Sequence, residues 1–315
     1  MNEFELIELI KKQLPTNSFV ITGAGDDCAV LDLGLPEKFL LFKTDAVVES
    51  IHFTGETEPE RVGHKALGRC LSDVAAMGGS ATAALVTLGL PASLDSQWIE
   101  RFYTGMGTLA RRYDVAIAGG EISTNPERKV ISVSLVGTVA KNRCVRRSGA
   151  QIGDGIFVTG ELGGSLEAKH LDFEPRLAEG QWLASHFAIH AMIDLSDGLA
   201  GDLRHILRAS NVGGELLSEA IPISRAARLQ ARAESSRKPP LLAALSDGED
   251  FELLFTVASA DAVPLLDAWK KQFPKLRLSC IGKITAGSAL KLRDKDGSRE
   301  LTVRGYEHFD RPQTT

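Results

Sequence analysis

Residues 58–91 read EPERVGHKALGRCLSDVAAMGGSATAALVTLGLP, and this stretch sets the frame for the fold. From Glu58 to Met77 apolar side chains recur at helical spacing. The pattern stops at Gly78-Gly79, where glycine suits a helix C-terminus. Ala81–Leu90 follows as an apolar run stopped by Pro91, the mark of a buried strand. Asp73 is the anomaly in the helix. At ~100° per residue with Val62 at zero, Ala66 falls near ~40°, Cys70 near ~80°, Val74 near ~120° and Asp73 near ~20°, on the apolar side. A buried carboxylate needs a partner. Arg69, one turn earlier at the edge of the polar face, is one candidate and a metal ion is the other. The spacing leaves both open.

Working upstream, residues 3–14 read as a helix with Leu6, Ile7, Leu9 and Ile10 apolar. Short strands follow at Cys28–Leu33 and at Phe39–Lys43, the second ending at Thr44-Asp45. Downstream, Asp95 caps a helix through Tyr113, Val115–Ala118 is a short strand ending at Gly119-Gly120, and Val130–Val139 is a long β-branched strand. A second block opens with the strand Gly155–Thr159 and the glycine turn Gly160–Gly164. Helices near 163–170 and 176–188 precede a strand, Ala191–Asp194, that feeds a helix from Gly198 to Ala209. Residues 231–240, ARAESSRKPP, read as a surface loop. Phe251–Thr256 is a strand, Asp261–Gln272 a helix and Leu276–Ile284 a strand. The two α/β blocks meet near residues 141–155, which predicts domains of 1–145 and 146–315. Strands and helices mix without a strict βαβ rhythm, so an α+β class of two α/β domains is expected ahead of a simple doubly wound parallel sheet.

Composition narrows the function classes. Of 315 residues 43% are hydrophobic and 24% charged, which supplies a core and excludes global disorder. A net charge of −5 gives no support to a nucleic-acid or anionic-membrane partner. No apolar run reaches the roughly 18–20 residues of a membrane helix. The N-terminal MNEFELIELIKK lacks the layout of a secretory signal, so a cytoplasmic location is expected. Cys28, Cys70, Cys144 and Cys280 are dispersed and read as reduced, mostly buried thiols. His186 and His190 share helical spacing but have no carboxylate helper, and read as packed or solvated.

The familiar nucleotide signatures are missing: no Walker loop, no dinucleotide fingerprint and no kinase catalytic loop. Acids stand at the ends of strands instead. Asp26 and Asp27 follow Gly23-Ala24-Gly25, Asp45 ends a strand, Asp194 and Asp197 flank Ser196, and Glu249 and Asp250 precede Phe251–Phe255. Singly, each has a local explanation: an Asp in a glycine turn bonds its own backbone, and Ser196 or Asp197 could cap the following helix. Together, dispersed carboxylates with few histidines suit a hard cation such as Mg²⁺, which prefers oxygen ligands and is often shared with substrate phosphates. The residues by themselves lead to phosphate chemistry without a Walker loop.

The segments GAGDDCAVL (23–31), KTDAVVESIHF (43–53), LGRCLSDVAAMGG (67–79), VAIAGGEIS (115–123), RRSGAQIGD (146–154), MIDLSDGL (192–199), DGEDFELLF (247–255) and GYEHF (305–309) are similar, in order, to those of the thiamine-monophosphate kinases. That family belongs to the superfamily of aminoimidazole ribonucleotide synthetase, selenophosphate synthetase and the hydrogenase maturation factor HypE. The segments span nearly the whole chain, and VESIHF and GYEHF point to the kinase within the superfamily.

The resemblance implies ATP-dependent phosphorylation of thiamine monophosphate to thiamine diphosphate, in a homodimer whose N-terminal sheets pair. It implies several Mg²⁺ ions at Asp27, Thr44, Asp45, Asp73, Asp194 and Asp197, with Glu121 a further ligand. It implies that Tyr103, Gly120, Glu121, Arg147 and Ser196 meet ATP, and that His52, Glu249 and Tyr306 meet the thiamine phosphate. Another ATP-dependent enzyme of the superfamily, such as an aminoimidazole ribonucleotide synthetase, is the alternative. Two residues depart from the family pattern: Lys43 stands where a small hydroxyl residue is usual, and Glu121 where Asp is usual. The pair before Glu249 is Asp247-Gly248 in place of two glycines. No catalytic acid or base is expected, because a phosphate monoester, with a second pKa near ~6, is already largely ionised at neutral pH. Direct in-line transfer follows, with charge neutralisation as the main task.

Overall fold

The computed structural model describes residues 3–93, 95–167, 169–232, 238–303 and 305–306, with Glu3 and Phe4 as backbone only. After helix α1 (Glu3–Lys11), the strands β1 (Val20–Thr22), β2 (Ala29–Leu31), β3 (Lys38–Val48), β4 (Ser80–Leu90), β5 (Ala116–Thr124) and β6 (Val130–Ala140) form one sheet in the order β1-β2-β3-β6-β4-β5. Neighbours are antiparallel except β4 and β5, which run parallel. Alternation decides which face is covered. Along β6, Ile131, Val133, Leu135 and Val139 are buried, while Ser132 and Ser134 face the other way. Helices α2 (Pro59–Ala76) and α3 (Ser96–Arg112) bury the apolar face. The two helices meet where Gly105 lets them approach: a Cβ there would lie 1.9 Å from the Glu60 carbonyl oxygen.

The second sheet has the order β13-β12-β9-β11-β7-β10-β8. Its strands are β7 (Gly155–Thr159), β8 (Ile189–Asp194), β9 (Gly213–Leu217), β10 (Leu253–Val257), β11 (Leu278–Thr285), β12 (Leu290–Asp294) and β13 (Gly297–Glu300). Only β9 and β12 pair parallel. Central strands β7 and β10 are buried on both faces. Phe157 and Phe255 join the core of the first sheet, whereas Val158 and Leu254 face a second core under α5 (Leu199–Ser210) and α7 (Pro240–Ser246). Helix α4 (Leu177–His186) packs on α2, and α6 (Arg225–Gln230) and α8 (Ala262–Gln272) complete the order. The architecture is α+β with mixed sheets.

Several expectations need correction. β3 does not end at Thr44-Asp45 but runs on to Val48, because all eleven of its residues pair with β6 and Arg69 satisfies the Asp45 carboxylate. β5 does not end at Gly119-Gly120: Gly120 pairs with Val86, where a Cβ would lie 1.8 Å from the Val86 oxygen. A 3-10 turn, Ser165–Glu167, stands where a helix was expected near 163–170. β10 begins at Leu253, so Glu249 and Asp250 belong to the preceding loop. β1, β9, β12, β13, α6 and α7 were not expected. Within the expected loop at 231–240, residues 233–237 lie outside the described ones, as do 307–309 of GYEHF. Of the cysteines, Cys28 and Cys70 are buried and Cys280 is exposed.

Candidate active site

Lys65, Arg69 and Asp73 recur every four residues along α2, a spacing that stacks them on one side of the helix. Lys65 is fully buried. Its Nζ donates to the His52 carbonyl (2.7 Å) and to Glu249 Oε2 (2.7 Å), and lies 3.0 Å from His170 Nδ1. Arg69 clamps Asp45 through Nε (2.9 Å) and Nη2 (3.2 Å), and donates Nη1 to Glu249 Oε1 (3.2 Å). Arg69 is therefore not the partner of Asp73. That role falls to Lys43 of β3, whose Nζ lies 2.8 Å from Asp73 Oδ1. Lys43 and Asp45 alternate onto the covered face of the sheet beneath α2, while Thr44 faces the opposite side.

Asp73 meets two other buried acids. Carboxylate oxygens of Asp27, Asp73 and Asp194 lie within 4.8 Å of one another. Each acid has a protein partner. Arg147 donates to Asp27 Oδ1 through Nη2 (2.7 Å), and Ser72 Oγ donates to Asp194 Oδ2 (2.6 Å). Asp27 Oδ2 is buried without a hydrogen-bond partner. Burial, together with the Asp27 charge, pushes Asp194 up to about 6. Burial is also the main cause that raises Asp73, and among the nearby charges Lys43 opposes the rise while Asp194 adds to it. Burial alone would lower Lys43, but Asp73 and Asp45 outweigh it and keep the ammonium charged. An all-oxygen donor set with an orphaned buried oxygen suits a hard cation.

A cleft opens one helical turn along α2 from Asp73, at Arg69, and three residues beyond Asp194, at Asp197. His52, Glu249 and Tyr306 line it together with Arg69, Ser196 and Asp197. The turn after β8 assembles it: Glu249 N–H donates to the Ser196 carbonyl (2.7 Å), and Tyr306 N–H to the Asp197 carbonyl (2.9 Å). Glu249 holds φ +53°, a conformation that non-glycine residues adopt at a cost of about 1–3 kcal/mol and that concentrates at functional sites. Burial would raise the Glu249 carboxyl, but His170, Lys65 and Arg69 hold it down at about 2. Burial lowers Lys65 to about 8, against the pull of Glu249, so both are ionised at neutral pH.

Neither Ser196 nor Asp197 caps α5, whose N-cap position is Gly198. The Asp197 N–H donates instead to Asp202 Oδ2 (3.0 Å), and ligand atoms of Asp197, Asp202 and His205 form a second group within 4.8 Å. Asp202, His205, Lys65 and His170 were missed in the sequence. The stride of four from Lys65 to Asp73 was the readable signal for Lys65, and the i, i+3 spacing was that for Asp202 and His205. His186 and His190 do not form a pair: the ring of His186 lies 2.9 Å from the Trp182 carbonyl and that of His190 2.8 Å from Asp154. Asp250 accepts from the Gly163 N–H and serves the loop.

Tyr103, Gly120, Glu121 and Thr44 do not line this cleft. Tyr103 packs edge-on against Phe102 in α3. The Thr44 hydroxyl meets Ser132 and Ser134 on the open side of the first sheet, where Glu121 is registered with Thr87 and Thr87 with Ser132.

The two sheets and their acidic junction define an AIR synthase related protein: the N-terminal domain of that family matches residues 25–139 and the C-terminal domain residues 151–295. Within that class the chain belongs to the thiamine-monophosphate kinase family. It is 40% identical over 305 residues to the thiamine-monophosphate kinase of Rhodopirellula baltica, covering 94% of this chain and 93% of that one. It is 34% identical to that of Escherichia coli, with 92% of each covered. The structure of AaThiL complexed with AMPPCP and TMP superposes with a TM-score of 0.79 at 33% identity, covering 98% of this chain and 97% of that chain.

Proposed function

We propose that this chain transfers the γ-phosphoryl group of ATP to the phosphate of thiamine monophosphate, giving thiamine diphosphate. The observation that carries the reading is the convergence of His52, Glu249 and Tyr306 on one cleft, one helical turn along α2 from Asp73 of the Asp27–Asp73–Asp194 cluster. Asp27, Asp73 and Asp194 would hold Mg²⁺, with Asp45 and Asp197 close by. When bound, Mg²⁺ neutralises the repulsion between two polyanions and the charge spread over the transferring group.

The side chains of this protein do the rest. Glu249, kept ionised and fixed in place by Lys65, Arg69 and His170, would meet the thiamine phosphate at the cleft wall. Tyr306 presents a ring for the cationic thiazolium, an interaction of about 0.5–2 kcal/mol. Arg147, now on Asp27, supplies a fork for phosphate oxygens. No side chain need remove a proton, since the attacking phosphate oxygen is already ionised. We assign Tyr103, Gly120 and Ser196 to nucleotide contact, and divide the domains at 145/146.

A homodimer is part of this reading. The side of the first sheet opposite α2 carries exposed Phe42 and Leu85 next to Thr44 and Ser134, and no described element covers it. A second copy would close it. As ligands, Thr44 and Glu121 would act on that side and not at the Asp27–Asp73–Asp194 cluster. Among the described residues no helix is long and apolar enough to cross a membrane; a cytoplasmic location belongs to the proposal. The test is purified protein with ATP, Mg²⁺ and thiamine monophosphate. Thiamine diphosphate is the expected product. Its absence would overturn the reading and favour another ATP-dependent enzyme of the superfamily.

A further inference from the structure

Lys43 stands in an unusual place for a lysine. It projects from the middle of β3 onto the face that α2 covers, between Leu41 and Asp45. Its Nζ reaches Asp73 Oδ1 at 2.8 Å, and its charge is felt by Asp45 and Asp194 as well. The other groups facing it are the Cys28 thiol and, across Asp45, Arg69. A surface ion pair would have room to leave. Here the Lys43 side chain is 21% exposed and that of Asp73 8%, so the ammonium is part of the cluster's fixed charge. The acids are compensated unevenly. Asp73 has Lys43 and Asp27 has Arg147, each on Oδ1, whereas Asp194 has only the Ser72 hydroxyl and Asp27 Oδ2 is buried without a hydrogen-bond partner.

We propose that the Lys43 ammonium is a built-in cation of the acidic cluster, standing at Asp73 Oδ1 in place of a further divalent ion beside the one that Asp27, Asp73 and Asp194 share, so that this enzyme works with one fewer metal ion than its carboxylates could bind. The proposal rests on the reading of Asp27, Asp73 and Asp194 as a divalent-metal site. Its physical basis is exclusion by charge and by space. An ammonium 2.8 Å from Asp73 Oδ1 occupies the donor side of that oxygen, and a second divalent cation within ~4 Å of a fixed positive charge is disfavoured in a low-dielectric site. Replacing Lys43 by a neutral residue frees the oxygen and restores the negative charge that attracts the ion.

The test counts ions and not turnovers. Bound Mn²⁺ is measured from the loss of the free-ion electron paramagnetic resonance signal, with a non-hydrolysable ATP analogue present, for the wild type, Lys43→Thr, Lys43→Met and Lys43→Arg. Asp27→Asn serves as the control for the cluster, and circular dichroism confirms folding. The expected result is one additional ion per chain in Lys43→Thr and Lys43→Met, and the wild-type number in Lys43→Arg. Equal counts in the wild type and in either folded neutral variant overturn the proposal while leaving the metal site in place. A wild-type count that Asp27→Asn does not lower overturns the metal-site reading itself, and the proposal with it.

Discussion

Lys65→Met probes how the cleft holds its negative charge. Lys65 is fully buried and donates to the His52 carbonyl and to Glu249, each at 2.7 Å. Removing one partner of a buried ion pair costs about 3–5 kcal/mol, because the other charge is left uncompensated. Two features place this case at the low end. Arg69 Nη1 still reaches Glu249 Oε1 at 3.2 Å, and the burial that lowers Lys65 to about 8 is a penalty the variant escapes. The expected loss is about 3 kcal/mol at pH 7, read from urea unfolding. The pH dependence follows from Glu249. Its folded pKa, about 2, lies below the ordinary carboxyl value. The stability it contributes is therefore present above ~4.3 and lost as pH falls through about 2. In the variant the Glu249 carboxyl rises and takes a proton as pH falls towards ~4.5, which relieves the unpaired charge. The difference from wild type should shrink over that range. A loss below ~1 kcal/mol at pH 7, or one that stays constant down to pH ~4.5, would refute the reasoning.

Three further outcomes are expected. Asp250, buried and raised to about 7, contributes stability that is present below ~4 and lost as pH rises through about 7; Asp250→Asn should therefore gain on the wild type by up to roughly 4 kcal/mol between pH 4 and 8 in urea titrations, and parallel curves would count against it. Gly105→Ala places a methyl 1.9 Å from the Glu60 carbonyl oxygen, so α2 and α3 must part, lowering stability by about 1–3 kcal/mol in calorimetry; an unchanged melting temperature would show that the helices have slack. Tyr306→Ala should raise KM for thiamine monophosphate about 2- to 30-fold, with little change for ATP, and equal changes for both would reduce Tyr306 to packing.

What could be read in the sequence was what local chemistry determines. The Asp95 cap is such a case, and its side chain accepts from the Gln97 N–H as expected. So are the strand Gly155–Thr159, buried throughout, and the helix that ends before Gly78. Misreadings came where a distant partner overrides the local pattern. Asp45 looked like the end of a strand because a carboxylate is costly mid-strand beneath a helix, yet Arg69 neutralises it there. Arg69 looked like a polar-face residue and a neighbour for Asp73, yet it turns to Asp45 and Glu249. Lys65 was overlooked because a lysine on a helix is usually solvated, and its three polar neighbours come from segments remote in sequence. The acids at the ends of segments were visible individually. That Asp27, Asp73 and Asp194 converge, whereas Thr44 faces the far side of the sheet, depends on strand register.

The most direct test of the account is a crystal structure of the protein with thiamine monophosphate, a non-hydrolysable ATP analogue and Mn²⁺, recorded at the manganese absorption edge. The account predicts an anomalous peak among Asp27, Asp73 and Asp194, with the thiazolium between Glu249 and Tyr306 and its phosphate directed towards that ion. Manganese absent from those three carboxylates, or thiamine monophosphate outside the cleft of His52, Glu249 and Tyr306, would contradict it.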